Sequence, residues 1–348
     1  MKYDAKKLQE FSANVMQAAG LRASDAEIFS EALIYADMRG IGSHGISRLR
    51  TYAKRVVTGV INQEAVPVVL RDSATALLID GKNGIGASIA KQSLDMCIER
   101  ARKHGSCCAA VRNGVHFGTG AFYTEYAAGK GMVCFMVSNS EAAVVPTGGA
   151  VPMLGTNPLS IGVPAGRRDP FVLDMATSIV ARGKVVLAKK EGKGIPGDWG
   201  VDKQGTPTDD PDAILNGGAM LPFGGPKGYG ISLAIDLICS CLGGALNSRE
   251  TPGFWDDFEH PQNVGYFMIV LDAEKFLPLE EFTAKVDAML GEFKACPTAP
   301  GVKEVMIPGE IEANKYRGCM ASGVKLSAAV VEDLKGVGKE YGISVDIF

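Results

Sequence analysis

The chain has 348 residues, of which 22% are charged, and its formal net charge at pH 7 is −3. Because this charge is slightly negative and no long basic run occurs, the composition excludes the electrostatic pattern of a nucleic-acid-binding protein. The amino terminus lacks the apolar core of a signal peptide. The longest apolar run, 231–246, contains Asp236 and is shorter than the ~20 residues of a membrane span. We therefore expect a cytoplasmic protein with no membrane contact.

The periodicity of apolar residues predicts helices and short strands in α/β order, with some neighbouring strands antiparallel. Helices are predicted at 3–19, 24–36, 87–104, 120–128, about 227–246, 279–294 and 327–341, and another begins near Thr177; strands are predicted at 66–70, 75–79, 106–111, 132–137, 160–163, 171–174 and 264–271. Ser24 and Glu27 form a predicted capping box at the second helix. The segment 192–212, rich in Gly, Pro and Asp, predicts an irregular loop without a core of its own.

A segment near the N-terminus places a hydroxyl, an imidazole and a guanidinium within six residues, on Ser43, His44 and Arg48. If 44–52 is helical, His44, Arg48 and Tyr52 are spaced i, i+4 and i+8 and share one face. A guanidinium that binds a carboxylate and an imidazole that moves a proton are two groups that an enzyme of 2-oxo or 2-hydroxy acids needs. The alternative is a solvated helix start with Ser43 as the N-cap, and the spacing alone does not decide between them.

Gly84-Ile85-Gly86 follows a predicted strand and opens a helix, as the dinucleotide-binding fingerprint of a Rossmann domain does. That fingerprint requires a small residue where this chain has Ile89, and an acidic residue about 20 residues later, where this chain is basic. We therefore interpret the glycines as a tight turn with close helix packing.

A better candidate for phosphate binding is 224–230, where glycines, Pro226 and Lys227 begin an apolar helix. Proline suits the first helical position, and the helix N-terminus carries about half a positive charge, to which Lys227 adds a full one. This arrangement is typical of a pyrophosphate site. The alternative is a glycine-rich helix start packed tightly against a neighbour.

Three other polar segments follow predicted strands, at 138–141, 155–158 and 174–178. The carboxyl ends of strands are where open α/β sheets bind ligands, and a carboxylate such as Glu141 or Asp174 can bind a ribose diol or hold a lysine. Each of the three segments alone could instead be a turn. His116 lies in a loop after another strand, where an imidazole with an ordinary pKa of ~6.5 is a candidate acid or base. The alternative for His116 is a half-buried side chain bonded to backbone.

The eight cysteines and four histidines form no pattern typical of a metal site. Cys239 and Cys241 have a chelate-like spacing, but they lie in a predicted helix, where positions i and i+2 point to different faces. Cys107 and Cys108 lie in a predicted apolar strand beside two alanines, which favours a core position over a thiol nucleophile. We therefore expect no metal and no disulfide framework.

The motifs occur in one order along the chain, and as a set they resemble the malate/L-lactate dehydrogenase family that is distinct from the Rossmann lactate dehydrogenases. The family includes ureidoglycolate dehydrogenase, 2,3-diketo-L-gulonate reductase, sulfolactate dehydrogenase and a cyclic imino-acid reductase. The resemblance covers nearly the whole chain, as far as 308–310. Its motifs are Asp37-x-Arg39-Gly40-x-x-Ser43-His44-Gly45-x-x-Arg48, Gly114-x-His116-Phe117-Gly118, Gly155-Thr156-Asn157-Pro158, Asp174-Met175-Ala176-Thr177 and Gly225-Pro226-Lys227-Gly228-Tyr229-Gly230.

The resemblance implies an α/β fold with a non-Rossmann dinucleotide-binding domain and a helical N-terminal domain. The implied domains are a helical domain at 1–75 joined by 310–348, an α/β core at 76–130 and 250–309, and an NAD(P)-binding domain at 131–249. The resemblance also implies a homodimer with the active site near the subunit interface.

Roles for individual residues follow from the same resemblance. His44 is similar to the proton donor and acceptor of the family, Ser43 and Arg48 to residues at the substrate, and His116 to a second active-site histidine that acts as the acid or base in some members. Ser140, Asp174, Met175, Ala176, Lys227, Gly309 and Glu310 match nicotinamide-dinucleotide contacts, and we add Asn157 and Glu141 to the expected cofactor residues.

The expected reaction is hydride transfer from nicotinamide to the 2-carbon of a 2-oxo acid, with Arg48 binding the carboxylate and His44 or His116 protonating the alkoxide. Glu141 is expected to bond the ribose hydroxyls and repel a 2′-phosphate, which favours NAD over NADP. Reduction of a cyclic imino acid is the alternative activity, since C=N and C=O accept hydride alike. A dinucleotide-binding sensor would require a broken hydride site, whereas Ser43, His44, Arg48 and His116 are all present.

Overall fold

The computed structural model describes residues 1–348. The helices are α1 (Ala5–Ala18), α2 (Ala23–Met38), α3 (Leu49–Val57), α4 (Gly86–His104), α5 (Gly120–Ala128), α6 (Arg182–Glu191), α7 (Pro211–Leu215), α8 (Pro226–Leu237), α9 (Leu279–Lys294), α10 (Glu310–Ser322) and α11 (Ala328–Glu340). The strands are β1 (Lys2–Tyr3), β2 (Val68–Asp72), β3 (Ala76–Asp80), β4 (Ser106–Gly114), β5 (Met132–Ser138), β6 (Leu159–Val163), β7 (Phe171–Met175), β8 (Gly200–Val201), β9 (Ala219–Met220), β10 (Val264–Asp272) and β11 (Val324–Lys325). None of the helices is both long and apolar enough to cross a bilayer.

Seven strands form one sheet in the order β2-β3-β4-β10-β5-β6-β7. Only β3 and β4 are parallel, so the expectation of antiparallel neighbours is confirmed. β10 lies between β4 and β5 and pairs with both of them. The sheet therefore continues across position 130, where the sequence predicted a boundary between an α/β core and a cofactor domain.

The two ends of the chain pack together beside this sheet. β1 pairs with β11, α10 packs against α2, and α11 packs against α3. The main hydrophobic core contains 52 buried residues and extends from α1 and α2 through α4 to β4 and β10. The C-terminal segment therefore lies against the N-terminal helices.

Two helix starts differ from the prediction. α2 begins after Arg22, and Ser24 makes no capping bond; instead, Asp25 accepts from the Arg22 guanidinium at 2.7 Å. The helix expected near Thr177 begins only with α6, since the Thr177 hydroxyl donates to the carbonyl groups of Thr156 and Asn157. At α2 a different local bond, between Arg22 and Asp25, replaces the predicted capping box. At Thr177 bonds to a separate segment replace the predicted helix start.

The segment 192–212 is not the coreless loop that its composition predicted. It contains β8 and the start of α7. Ile195 from this segment joins a small second core of buried residues that also contains Val144, Leu154, Val185, Ile214 and Met220. The partners of Ile195 come from distant parts of the chain, so local composition could not reveal them.

The Gly84-Ile85-Gly86 turn is closely packed, as expected. A Cβ at Gly86 would lie 2.2 Å from the carbonyl oxygen of Val115, and a Cβ at Gly84 would lie 2.7 Å from the Cβ of Ala65. Since Cβ atoms do not approach other atoms this closely, packing requires glycine at both positions. The turn thereby places the start of α4 against the residue before His116.

Candidate active site

The segment 43–48 is not part of a single helix, contrary to the helix supposed over 44–52. It forms two 3-10 turns, Gly42–His44 and Ile46–Arg48, before α3 begins. Arg48 is the N-cap residue of α3, so Arg48 and Tyr52 keep their spacing of four residues at the start of that helix. The imidazole of His44 reaches the same site through the turns and not through a continuous helical face.

Gly45 separates the two turns because the carboxylate of Asp37 lies directly against it. A Cβ at Gly45 would lie 2.1 Å from Oδ1 of Asp37, whose Oδ2 accepts the amide of Ile46 at 2.6 Å. Burial raises the pKa of Asp37 to about 7, and the bond from Ile46 opposes this shift. Asp37 and Gly45, which entered the sequence motif without a role, therefore shape the turn that carries His44.

The guanidinium of Arg48 lies at the centre of the site. Its Nε donates to the carbonyl of Ser43 at 2.5 Å, and its Nη1 lies 3.2 Å from Nε2 of His116. It also lies 4.7 Å from the centroid of the Trp255 ring and 5.5 Å from that of Phe254. A guanidinium fixed on several sides in this way suits bidentate binding of a carboxylate.

Both ring nitrogens of His116 have partners. Nδ1 lies 2.5 Å from the Tyr52 hydroxyl and 3.2 Å from the amide of Gly118, while Nε2 faces Arg48. The backbone amide of His116 donates to Oε1 of Gln262 at 3.2 Å. His116 is therefore fixed in orientation by its neighbours.

His44, in contrast, keeps one ring nitrogen free. Its Nδ1 lies 3.1 Å from Oγ of Ser43, and its Nε2 has no hydrogen-bond partner within the chain. The ring stacks on that of His116, with centroids 5.5 Å apart and planes inclined by 24°. The four residues that the sequence motifs indicated in two separate segments thus lie together. They are Ser43, His44, Arg48 and His116.

The electrostatics of the site favour neutral imidazoles. Burial lowers the pKa of His44 to about 3, with a further contribution from the charge of Arg48. Burial also lowers the pKa of His116 well below its usual value, assisted by Arg48 and His44. Both histidines are therefore unprotonated near neutral pH in the free enzyme, and the Tyr52 hydroxyl, whose pKa burial raises, keeps its proton.

Phe254 and Trp255 close one side of the site, and none of the sequence motifs included them. The Phe254 side chain is 1% exposed, and its ring centroid lies 5.1 Å from that of His116 and 4.9 Å from that of Tyr52. Trp255 covers the guanidinium of Arg48 with one face of its ring and remains half-exposed. A tryptophan in a polar loop was the only local signal that could have drawn attention to them.

Two of the expected cofactor residues, Ser140 and Asn157, belong to one hydrogen-bond network. Asn157 is fully buried; its Oδ1 accepts the amide of Ser140 at 3.2 Å, and its Nδ2 donates to the carbonyl of Ser232 at 3.0 Å. The hydroxyl of Ser140 accepts the amide of Thr156 at 3.1 Å. Because Asn157 has no exposed surface, it positions the Ser140 loop against α8 and does not itself face a ligand.

Asp174 uses its carboxylate at the N-terminus of α5. It accepts the amide of Ala121 at 2.9 Å, and a Cβ at Gly120 would lie 3.1 Å from its Oδ1. Burial raises the pKa of Asp174 to about 6, against the effect of the amides of Ala121 and Gly120. The carboxylate is thus engaged with the fold, while the half-exposed Met175 and Ala176 remain available to a ligand at the end of β7.

The start of α8 is open to a ligand. Gly224 and Gly225 have φ angles of 57° and 60°, and Pro226 occupies the first turn. A Cβ at either glycine would meet nothing within 4 Å, so the glycines serve the turn and not close packing. Lys227 is exposed, and its amide has no acceptor within the chain. A cation beside free N–H groups at a helix N-terminus fits a pyrophosphate.

α8 is shorter than predicted, because a π-helical turn at Ile238–Leu242 follows it.

Gly309 and Glu310 lie beside β7, the edge strand of the sheet. A Cβ at Gly309, whose φ is 88°, would lie 2.7 Å from the carbonyl oxygen of Val172. The Gly309 carbonyl accepts from Arg39 at 3.3 Å, and Glu310 forms an ion pair with Lys294 at 2.8 Å. The turn is therefore fixed against the strand that ends at Met175.

Glu141 lies within electrostatic range of cations in the substrate half of the site. Burial lowers the pKa of Arg48 and of Arg55, and the negative charge of Glu141 opposes the shift at both residues. The bond from Glu141 to the ribose hydroxyls, and the preference for NAD over NADP that would follow from it, stay predictions.

A family model described as malate/L-lactate dehydrogenase matches residues 3–335. The chain belongs to this family. A malate dehydrogenase of Pyrococcus horikoshii is 34% identical over 97% of this chain and 94% of its own length. An L-sulfolactate dehydrogenase of Methanocaldococcus jannaschii is 36% identical over 96% of this chain and 95% of its own length. The family resemblance that the motifs indicated is thus confirmed.

Solved structures in the family agree with the fold. The sulfolactate dehydrogenase structure from Methanocaldococcus jannaschii superimposes with a TM-score of 0.93 at 34% identity, covering 100% of this chain and 99% of that one. The expected non-Rossmann α/β fold is therefore confirmed. A Δ1-piperideine-2-carboxylate reductase from Pseudomonas syringae superimposes with a TM-score of 0.85 at 30% identity, covering 97% and 99% of the two chains.

The relatives include enzymes named for both nicotinamide cofactors. A ureidoglycolate dehydrogenase (NAD(+)) of Escherichia coli K12 is 32% identical over 94% of this chain and 93% of its own length. A (2R)-3-sulfolactate dehydrogenase (NADP(+)) of Chromohalobacter salexigens is 32% identical over 92% of this chain and 93% of its own length. This chain is therefore an enzyme of an NAD(P)-dependent dehydrogenase family.

Proposed function

We propose that this enzyme transfers a hydride between NAD(P)H and the 2-carbon of a small 2-oxo or 2-hydroxy acid. The observation that carries the proposal is the position of Arg48, whose buried guanidinium lies 3.2 Å from the His116 imidazole and next to His44. An anion binder and a proton acceptor are thus adjacent, as the 1-carboxylate and the 2-oxygen of such an acid require. The family membership supports the same reaction.

The residues present fit a nicotinamide dinucleotide. Lys227, with its side chain and its free backbone N–H at the start of α8, would bind the pyrophosphate, and Ser140, Met175, Ala176 and the Gly309 turn would hold other parts of the cofactor. When bound, the cofactor supplies or accepts the hydride. NAD and NADP both remain candidates, since relatives are named for each.

In the reduction direction, Arg48 binds the carboxylate of the 2-oxo acid and orients its carbonyl. We assign the proton transfer to His44, because its Nε2 is free while both nitrogens of His116 are engaged. Ser43 orients His44 through the 3.1 Å contact with Nδ1. His116 then fixes Arg48 and the carbonyl, and the imidazolium form of His44 gives its proton to the 2-oxygen as negative charge develops there, which leaves His44 neutral.

A homodimer accounts for an apolar surface on this chain. The large apolar residues exposed on α8 and the turn after it are Ile231, Leu233, Leu237 and Leu242, with exposed fractions of 39%, 36%, 51% and 65%. Large apolar side chains that stay exposed along one helix favour contact with a second copy of the chain. Light scattering should give a dimer for the parent and a monomer for Leu237→Asp, with Met289→Asp on α9 as the control.

We also infer a cytoplasmic location from the composition.

The direct test is oxidation of NADH and of NADPH by the purified enzyme against a panel of 2-oxo acids and cyclic imino acids. We expect turnover with at least one 2-oxo acid that has a free 1-carboxylate. The structural likeness to the Δ1-piperideine-2-carboxylate reductase favours a cyclic imino acid as the second candidate. Turnover of imino acids alone would replace the proposed substrate class, and no turnover with either class would remove the proposal.

A further inference from the structure

Arg55 is a fully buried arginine without a carboxylate partner. It lies three residues after Tyr52 on α3 and has no exposed surface. Its Nη1 donates to three backbone carbonyls, those of Gly253 at 3.4 Å, Phe254 at 3.1 Å and Asp257 at 2.6 Å. Its Nε and Nη2 have no hydrogen-bond partner. The guanidinium thus lies against a single loop, which we name the 253–258 loop.

The same loop forms the aromatic side of the active site. Phe254 packs against the rings of Tyr52 and His116, and Trp255 covers Arg48 at 4.7 Å. The guanidinium of Arg55 also lies 5.4 Å from the centroid of the Phe254 ring. Arg55 therefore binds the backbone of the loop, while the side chains of the loop contact His116 and Arg48.

Core stability does not explain a charge in this position. The charges of Asp257 and Glu141 act on Arg55 without bonding to it, and an apolar side chain of similar volume generally stabilises a core at least as well as a buried charge. Three carbonyls converging on one cation, however, fix the course of a loop that has no regular secondary structure. The bonds from Arg55 therefore act on the position of Phe254 and Trp255.

We propose that Arg55 is a positioning residue for substrate binding, acting through the 253–258 loop. Its bonds to the loop carbonyls place the Trp255 ring over the Arg48 guanidinium and so complete the wall of the carboxylate pocket. The proposal rests on the proposed function for its substrate, a 2-oxo acid with a free carboxylate. The cofactor site at Ser140, Lys227 and β7 lies outside the contacts of Arg55.

The test compares Arg55→Met, Arg55→Lys and Trp255→Ala. In Arg55→Met, the KM for the 2-oxo acid should rise roughly tenfold or more, whereas the Kd for NADH should change less than about twofold. Arg55→Lys keeps the charge and should recover part of the loss. Trp255→Ala, which removes a half-exposed side chain, should reproduce the rise in KM even if Arg55→Met does not fold. Arg50→Met is the matched control, since Arg50 lies on the same helix and pairs with Asp333 and Glu340 at the surface.

The loop can also be observed without turnover. The chain has two tryptophans, Trp199 and Trp255, so a Trp199→Phe background leaves Trp255 as the only one. Acrylamide quenching of Trp255 should increase when Arg55→Met is added, and not when Arg50→Met is added. If no NADH or NADPH turnover is found, the proposed function fails while this measurement still reports on the loop. Any one of three results would overturn the inference. The first is an unchanged KM together with unchanged quenching in folded Arg55→Met, and the second is an unchanged KM in Trp255→Ala. The third is an equal loss of affinity for the substrate and for NADH.

Discussion

The imidazole rings of His44 and His116 lie nearly parallel, with centroids 5.5 Å apart and planes inclined by 24°. Two imidazoles at this distance, beside the charge of Arg48, cannot both be protonated at low cost, and burial lowers the pKa of each. A bound carboxylate would compensate the charge of Arg48 and raise the pKa of its neighbours. In the proposed mechanism, the substrate anion would thereby help to form the acid that protonates its own 2-oxygen.

Arg48→Lys should raise the KM for a 2-oxo acid far more than it changes cofactor affinity. Lysine keeps the charge but lacks the planar group that bonds Ser43, faces His116 and stacks on Trp255. The expected loss in kcat/KM corresponds to about 1–3 kcal/mol. Steady-state kinetics and NADH titration measure the two effects, with Arg50→Lys as the control. A loss confined to NADH binding would remove Arg48 from the substrate site.

Tyr52→Phe should lower kcat with little change in KM. The hydroxyl of Tyr52 lies 2.5 Å from Nδ1 of His116 and 3.2 Å from the carbonyl of the same residue. Removing it leaves the ring packed but frees the imidazole to rotate, a loss of roughly three- to tenfold for one or two hydrogen bonds. Single-turnover hydride transfer measures this step. An unchanged rate would mean that Phe254 and Gln262 orient His116 without Tyr52.

Gly45→Ala should destabilise the fold, whereas Gly42→Ala should not. A Cβ at position 45 would lie 2.1 Å from the Asp37 carboxylate, and one at position 42 would lie 3.4 Å from it, which is an ordinary contact. The clash must displace Asp37 or the His44 turn, at about 1–3 kcal/mol in the free energy of unfolding. Urea denaturation of the two variants tests the difference. Equal stability would show that the turn can move without cost.

Lys227→Ala should weaken NADH binding about two- to fivefold without loss of stability. The variant removes one exposed cation and leaves the free backbone N–H of residue 227 in place, and an exposed charge contributes about 0.2–1 kcal/mol. Fluorescence titration of NADH measures the change, with the exposed Lys339→Ala on α11 as the control. Identical affinity in Lys227→Ala and the parent enzyme would mean that the glycine-rich turn has only a structural role.

The sequence predicted the parts of this structure that depend on local pattern. The bounds of α5 and α9 match the periodicity, and the strands of the main sheet lie within a few residues of the prediction. The motif also selected His44 and Arg48 correctly as neighbours, although for the wrong reason, since Gly45 interrupts the supposed helix. A glycine between polar residues does not reveal that a carboxylate eight residues earlier occupies its free side.

What the sequence did not reveal depends on contacts between distant segments. Asn157 and Asp174 looked like ligand-binding residues at strand ends, but their side chains bond to Ser140 and to the start of α5. The charge of Glu141 acts on Arg48, and Trp255 reaches the site from a loop more than 200 residues away along the chain. Such pairings follow from the order of strands in the sheet, and no local pattern encodes them.

The most direct test of the proposed reaction is the pH dependence of kcat and kcat/KM for oxidation of the 2-hydroxy acid. The proton acceptor must be neutral, and its pKa is lowered in the free enzyme, so the acid limb of kcat/KM should lie below pH 6.5. In the complex, the substrate anion compensates Arg48, so the limb of kcat should lie at a higher pH than that of kcat/KM.

The decisive comparison applies this measurement to His44→Gln and His116→Gln, with thermal melts to exclude unfolding. We predict that His44→Gln loses orders of magnitude in rate together with the acid limb, because the group that titrates is gone. His116→Gln should lose rate but keep the limb, because an orienting residue does not itself accept the proton. If His44→Gln keeps both its rate and its acid limb, the assignment is wrong and His116 is the acid and base.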